Sequence, residues 1–262
     1  MTEHLSCLSY LSLEHQDNQE RTQGNRLQTE YTRLEKEMKT SQTKHNDLVK
    51  TTFYITYAFL MTTATITFIE AIRTKDIKIR NILNLETCIS VVAAFFYANF
   101  VEDMKEDFSY EKINITRYTD WAITTPIMLL VLVLALLYNN KAGALNFFSY
   151  CIILIFNYGM LGSGYLGEVG YWNKSQANIV GFTFFSLLYV FIYRNYLQTS
   201  RGVNKDNQLL FWTFVILWAM YGVFYPLDTV TRNVGYNILD LLSKCFVGIF
   251  FWAYFTGVFT LN

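Results

Sequence analysis

The sequence predicts an all-α membrane protein with seven transmembrane helices, on three observations. From Thr51 onward the chain repeats apolar runs of about 20 residues, which at about 1.5 Å per residue match the roughly 30 Å hydrocarbon core of a bilayer. Only two prolines occur, Pro126 and Pro226, and both fall inside such runs. Residues 1–50 are instead mostly polar and charged. We therefore expect a polar tail over 1–50 and a membrane domain over 51–262.

The apolar runs follow one another with short loops between them. The first run is rich in threonine, the second carries Glu86, and the third opens with RYTDWAITTP, residues 117–126. The fourth contains no charged residue, and the seventh contains Asp240 and Lys244. A soluble helical bundle is the alternative, but each helix would then need partners that cover every face. The predicted spans are 52–73, 79–100, 117–139, 143–166, 175–197, 208–230 and 233–260.

Loop charges predict the orientation of the chain. The first, third and fifth loops carry basic residues, such as Arg73, Lys141 and Arg201, whereas the second carries acids such as Glu102 and Glu111. Because basic loops are retained in the cytoplasm, we expect the N-terminus outside and the C-terminus in the cytoplasm.

The tail contains a weak helical signal. Leu27, Tyr31, Leu34 and Met38 recur at spacings of four, three and four, which predicts a short amphipathic helix. It is either a solvated, partly frayed helix or a coiled-coil segment that joins protomers in a homo-oligomer.

Composition excludes several function classes. The chain has 21 basic and 21 acidic side chains, so no nucleic-acid partner is expected. The four cysteines have no CxxC or metal-ligand spacing, so no metal site is predicted. We expect no enzymatic activity, and the lipid bilayer is the first partner.

Ionisable residues inside the predicted spans are the strongest functional signal. Such groups cost several kcal/mol unless they are paired or hydrated. Arg117, Asp120 and Thr124 share one face of the third helix, and Asp240 and Lys244 are one turn apart in the seventh. Lys244 lies too deep to reach the interface. It either forms a structural ion pair or carries an aldehyde cofactor as a Schiff base, with two carboxylates as counterions.

RYTDWAITTP together with LDLLSK, residues 239–244, resembles the paired signature of the microbial (type 1) rhodopsins. The similarity extends to MLGSG at 160–164 and spans residues 50 to 260. It implies seven helices around all-trans retinal, bound as a protonated Schiff base to Lys244. Asp120 would be the primary counterion and proton acceptor and Asp240 the second, with Thr124 beside them, and Arg117 would organise water on the outer side. The residues implied to line the retinal are Trp121, Thr125, Met160, Gly164, Trp218, Tyr221 and Tyr225. Thr125 and Asn157 are expected to bridge helices three and four.

Departures from the family pattern bear on the activity. Many proton pumps keep a carboxylate eleven residues after the counterion, where this chain has Val131. Val230 and Arg232 stand where an outer carboxylate pair is usual. Other polar residues lie on helices one, two and seven and predict a hydrated route with cation preference. The proposed pathway residues are Glu70, Glu86, Asn233 and Asn237.

These residues are similar to those of the viral rhodopsins of large algal viruses, in the group described as light-gated cation channels. A light-gated cation channel is therefore the first hypothesis from the sequence. The alternatives are an outward proton pump in which Glu86 replaces the missing donor, and a photosensor. If the chain is viral, its location would be a membrane of the host cell.

Overall fold

The computed structural model describes residues 2–106, 109–198 and 204–257. Arg201 and the last residues of the predicted seventh span, 258–260, lie outside them. The chain divides into two units, residues 1–48 and residues 49–262. Tail and first span share one helix, α1 (Thr2–Arg73), so the tail helix is much longer than predicted.

In the described part of the tail unit, the apolar side chains of the amphipathic stripe are exposed. Leu27, Tyr31, Leu34 and Met38 are 50–74% exposed. Exposed ion pairs one turn apart, Arg33–Glu37 and Lys39–Glu35, run along the same helix. This unit is therefore held by local helical contacts.

The described residues contain seven helical stretches that are long and apolar enough to cross a bilayer, as predicted. The fifth continues into a π-helical turn, Tyr193–Leu197. The seventh is built from α7 (Thr229–Asp240), a π-helical stretch (Leu241–Phe246) and α8 (Val247–Phe255). The others are α2 (Ile77–Glu106), α3 (Tyr110–Asn139), α4 (Phe147–Glu168), α5 (Lys174–Ile192) and α6 (Lys205–Phe224).

The predicted sixth span ran too far. The structure ends α6 at Phe224, so Pro226 lies in the turn between α6 and α7 and not inside a helix. Proline has no N–H for a helical hydrogen bond, and Asp228 starts the next helix as its N-cap. Hydrogen bonds from Thr231 hold the pKa of the Asp228 carboxyl below its usual range.

Helix α3 is the central helix of the membrane domain. In the most apolar part of α3, 56% of the residues are buried, against 17% in α4 and 22% in α5, which lie at the periphery of the bundle. Pro126 leaves the Ala122 carbonyl without its helical donor, and the Tyr158 hydroxyl of α4 donates to that oxygen at 3.1 Å. A second hydroxyl, from Tyr150, donates to the Pro126 carbonyl at 2.9 Å. Helix α4 therefore satisfies the proline site.

Two apolar clusters fill the bundle on either side of the buried charges. One joins α3, α5, α6 and α8 around Leu132, Phe211 and Phe251. The other joins α1, α2 and the seventh helix around Phe53 and Phe100. We call the half that contains the starts of α3 and α7 the outer half, because loop charges predict that it faces outward, and the opposite half the inner half.

Candidate functional site

A cavity lies between α3, α4, α5, α6 and the seventh helix. Lys244 and Asp240 stand at its wall. All seven residues that the family resemblance places around retinal line this cavity. Further lining residues include Tyr118, Met128, Leu161, Phe182, Phe185 and Tyr236. The cavity is an aromatic, mostly apolar slot beside a buried lysine.

Lys244 is held between two carboxylates. Its Nζ donates to Asp120 Oδ2 at 2.7 Å and lies 3.5 Å from Asp240 Oδ2. All three side chains are essentially fully buried. Asp120 Oδ1 has no hydrogen-bond partner among the described residues. The predicted convergence of both acids on one lysine is thus present, and Asp120 is the nearer partner.

Asp240 is tied by two tyrosines. Tyr221 donates to its Oδ1 at 2.6 Å, and Tyr97 of α2 donates to its Oδ2 at 2.8 Å. Tyr97 was missed from the sequence, although a single hydroxyl within the apolar stretch AAFFYANF was the available signal. Tyr236 was also missed, and its ring packs edge-on against Trp121 at 5.1 Å. Asp240 is therefore the better hydrogen-bonded of the two acids.

Arg117 closes the outer side of this site. Its guanidinium donates to Asn237 at 2.9 Å, to Tyr97 at 3.2 Å and to Asn233 at 3.3 Å. It also lies 3.6 Å from Asp240 Oδ2. Four aromatic rings surround its Cζ at 5.2–5.8 Å, those of Phe53, Tyr97, Phe100 and Tyr236.

Asn233 and Asn237, the asparagines predicted to line a hydrated route, lie in a buried hydrogen-bond network. Both are fully buried, and their amides are engaged in the structure. Asn237 also donates to Thr52 Oγ1 at 2.9 Å, and Asn233 donates to Asn114 Oδ1 at 3.1 Å. Their hydrogen bonds hold Arg117 in place, because a buried guanidinium needs acceptors for its N–H groups.

Glu86 lies on the other side of Lys244. Its side chain is 2% exposed, and no basic residue in the described part of the chain pairs with it. It packs against Gly248, four residues beyond Lys244, where an added methyl group would come within 3.0 Å of Glu86 Oε2. Ser90 lies one turn along α2 from Glu86, and its buried hydroxyl makes no hydrogen bond to any described residue. The surroundings of Glu86 therefore contain an unused hydrogen-bonding group.

Of the other residues named from the sequence, some make the expected contacts and others do not. Asn157 donates to Thr125 Oγ1 at 2.9 Å, which is the expected bridge between α3 and α4. Thr124 donates to the Asp120 backbone carbonyl at 2.9 Å and not to its carboxylate. Glu70 lies 3.7 Å from the exposed Arg73, at the end of α1. Val131 is fully buried within the apolar core.

The residues present fit a long apolar aldehyde cofactor. Trp121, Trp218 and Tyr221 supply flat surfaces along the slot, and Lys244 supplies the amine at its polar end. The positive charge of a protonated Schiff base at Nζ would be balanced by Asp120 and Asp240, because both carboxylates already lie beside this nitrogen.

Comparison with known proteins gives the family. The model of the bacteriorhodopsin-like protein family matches residues 48–258. A crystal structure of viral rhodopsin OLPVRII is 56% identical, covers 81% of this chain and 100% of that chain, and superposes with a TM-score of 0.76. Curated proteins give no match.

Two more distant crystal structures share the fold alone. A blue light-absorbing proteorhodopsin from Med12 is 22% identical, with coverage of 78% and 95% and a TM-score of 0.62. Acetabularia rhodopsin I is 18% identical, with coverage of 81% and 95% and a TM-score of 0.68. The family implies a retinal chromophore and a multi-pass location in a membrane. The chain therefore belongs to the bacteriorhodopsin-like family of microbial rhodopsins, and its predicted resemblance to viral rhodopsins is confirmed.

Proposed function

We propose that the protein is a light-driven outward proton transporter. The observation that carries this proposal is the presence of carboxyl groups on both sides of Lys244. Asp120 lies 2.7 Å from Nζ beside the outer Arg117 network, and Glu86 lies in the inner half against Gly248. A proton acceptor on one side and a proton source on the other give transfer a direction.

Lys244 would hold all-trans retinal as a Schiff base, with Trp121, Trp218 and Tyr221 along the polyene. When bound, retinal supplies a light-driven isomerisation that changes the direction and proton affinity of the lysine nitrogen. The protein's own residues then determine where the proton goes.

Asp120 is the acceptor on the outer side. Its Oδ2 is in direct contact with Lys244 Nζ, and its Oδ1 has no other partner among the described residues. Asp240 already accepts hydrogen bonds from Tyr97 and Tyr221, so it has less capacity for a further proton. Asp240 therefore stabilises positive charge at the site, and Asp120 receives the proton.

Glu86 is the proton source on the inner side. An ionised carboxylate without a cation partner is costly in a buried site, so the neutral carboxyl group is the favoured form of Glu86. Ser90, one turn along α2 from Glu86, has a buried hydroxyl without a partner in the described part of the chain, which could hold a water beside the carboxyl group. This arrangement assigns to α2 the donor role that Val131 on α3 lacks.

Light-gated cation conduction, the first hypothesis from the sequence, is the second candidate. Buried polar side chains on helices one, two and seven occur in both halves of the bundle. Tyr97 and Asn237 lie in the outer half, and Glu86 lies in the inner half. Cys245, which follows Lys244, is buried with Leu60 and Ala93 in the apolar cluster that also contains Tyr97. Movement of the lysine would therefore disturb this cluster, which would act as the barrier to ions. Two observations favour the pump: the amide of Asn237 is engaged in hydrogen bonds, and Arg117 is fully buried and hydrogen-bonded to it in the outer half.

Voltage clamp of cells that express the full chain with retinal separates the alternatives. We expect an outward photocurrent that keeps its sign on both sides of the cation equilibrium potentials. A current that reverses near one of those potentials would establish the channel and overturn the pump, and a photosensor would give almost no current. Lys244→Ala, the control, should remove both visible absorbance and photocurrent, and persisting colour would refute the attachment to Lys244.

A further inference from the structure

A buried ion pair at the outer ends of α4 and α7 is used by neither transport mechanism. Arg232 Nη2 lies 3.1 Å from Glu168 Oε1, and its Nη1 donates to Oε2 at 3.1 Å. The two side chains are only 3% and 8% exposed. The sequence singled out Arg232 but gave no indication of its partner, 64 residues away. A buried pair is weak support for stability as such, because desolvation offsets much of the attraction, so another role for it has to be considered.

The pair lies one helical turn outside the cofactor cavity on two helices. Glu168 follows the lining residue Gly164 by four positions, and Arg232 precedes the lining residue Tyr236 by four. Arg232 Nη1 also lies 3.4 Å from the backbone carbonyl of Tyr225, at the end of α6. One guanidinium therefore joins three helices that form the cavity wall.

The wall beneath the pair is closely packed. Tyr225 donates to the Gly164 carbonyl at 2.9 Å, which joins α6 to α4 directly. Gly167 leaves no room for a side chain, because an added methyl group would overlap the Tyr225 hydroxyl and Ala177 Cβ. A small separation of α4 from α6 and α7 would therefore open the cavity toward the outer surface.

We propose that Glu168, Arg232 and the Tyr225 carbonyl form an outer clamp that holds the cofactor cavity closed to water and small nucleophiles. Glu168 and Arg232 are positioning residues, which act on Lys244 through the packing of three helices. A bidentate pair suits this purpose because its two parallel hydrogen bonds fix direction as well as distance. The inference rests on the proposed retinal attachment and holds for a pump or a channel alike.

The test is the rate at which hydroxylamine bleaches the retinal-loaded full-length protein in the dark. Hydroxylamine replaces Lys244 at the aldehyde carbon, which yields retinal oxime and the free lysine ammonium. We expect Arg232→Gln and Glu168→Gln to bleach at least about tenfold faster than the wild type, because local opening becomes more frequent. The absorption maximum should stay nearly unchanged, since Asp120 and Asp240 are untouched. Lys112→Gln, which removes the exposed pair with Asp103, is the matched control and should bleach at the wild-type rate.

Rescue distinguishes the clamp from a general loss of stability. The double exchange Glu168→Arg with Arg232→Glu should restore slow bleaching in part, because it restores the ion pair but not the hydrogen bond to the Tyr225 carbonyl. Arg232→Lys should give an intermediate rate because it keeps the charge but loses the bidentate geometry. Hydrogen exchange in the retinal-free protein should rise at residues 164–169 and 229–236 in the single variants and fall again in the double exchange.

Wild-type bleaching rates in both single variants would overturn the clamp. Fast bleaching of the single variants that the double exchange does not slow at all would also overturn it. If a single variant does not fold, Arg232→Lys and the double exchange still test the proposal. Absence of colour in every form, wild type included, would instead refute the retinal attachment.

Discussion

Glu86→Gln tests the direction of proton transfer most directly. Glutamine has nearly the shape of glutamate, so the packing against Gly248 and Thr63 is retained while the transferable proton is lost. A positioned general acid contributes about 10²–10⁴-fold to a proton transfer. At roughly 1.4 kcal/mol for each factor of ten, this corresponds to about 3–5 kcal/mol of barrier. We expect the return of a proton to Lys244 Nζ to slow by that factor.

The assay is flash photolysis, in which loss and recovery of the visible band report the proton on Lys244. Without an internal donor the proton must come from bulk water, so the recovery rate of the variant should become proportional to proton concentration. The initial loss of the proton to Asp120 should keep its rate, because the 2.7 Å contact is unchanged.

Glu70→Gln is the matched control for the same measurement. Glu70 is also an acid on the inner side, but its side chain is 17% exposed and lies near Arg73. We expect a recovery close to that of the wild type. A Glu86→Gln variant that recovers at the wild-type rate, with no added pH dependence, would refute Glu86 as the proton source.

Three further substitutions test the network around the site. Asn237→Leu removes an amide acceptor of Arg117, and since a hydrogen bond to a charged group contributes about 1.5–3 kcal/mol, we expect at least that loss of stability in thermal denaturation. Gly248→Ala introduces a methyl group 3.0 Å from Glu86 Oε2, so flash photolysis should show slower recovery, and an unchanged rate would contradict the packing. Asn207→Leu removes three hydrogen bonds at the inner ends of α3 and α6, two donated and one accepted, and at about 0.5–1.5 kcal/mol each it should cost roughly 2–4 kcal/mol in the same denaturation assay.

Much of the fold could be predicted from local patterns. Apolar runs of bilayer length fixed the number of helices, because the chain must satisfy its own backbone hydrogen bonds in lipid. The ends of the helices follow less directly from the hydropathy pattern. Pro226 illustrates the reason: its run reads as one continuous apolar segment, and only the N-cap at Asp228 separates two helices there. The long helical tail was missed because its polar composition carries no hydropathy signal.

The charges at the centre were equally legible from the sequence. Lys244 and Asp240 are one turn apart, and Asp120 lies in a motif with Arg117, so their convergence followed from helix geometry and family resemblance. An intramembrane charge needs a partner, and few partners were available. The sequence by itself therefore determined the family, the membrane location and the chemical character of the cofactor site.

Only the tertiary structure decided which polar groups are engaged and which are free. In the sequence, Asn237 and Glu86 look alike, as polar residues within apolar helices. In the structure Asn237 accepts a hydrogen bond from Arg117, whereas Glu86 has no cation partner in the described part of the chain. Arg232 gained its partner Glu168 in the same way. These pairings join residues 64 to more than 100 positions apart, and their geometry depends on how helices pack side by side. Helical periodicity gives the face on which a residue lies, but the atom it meets across the interface is set by packing.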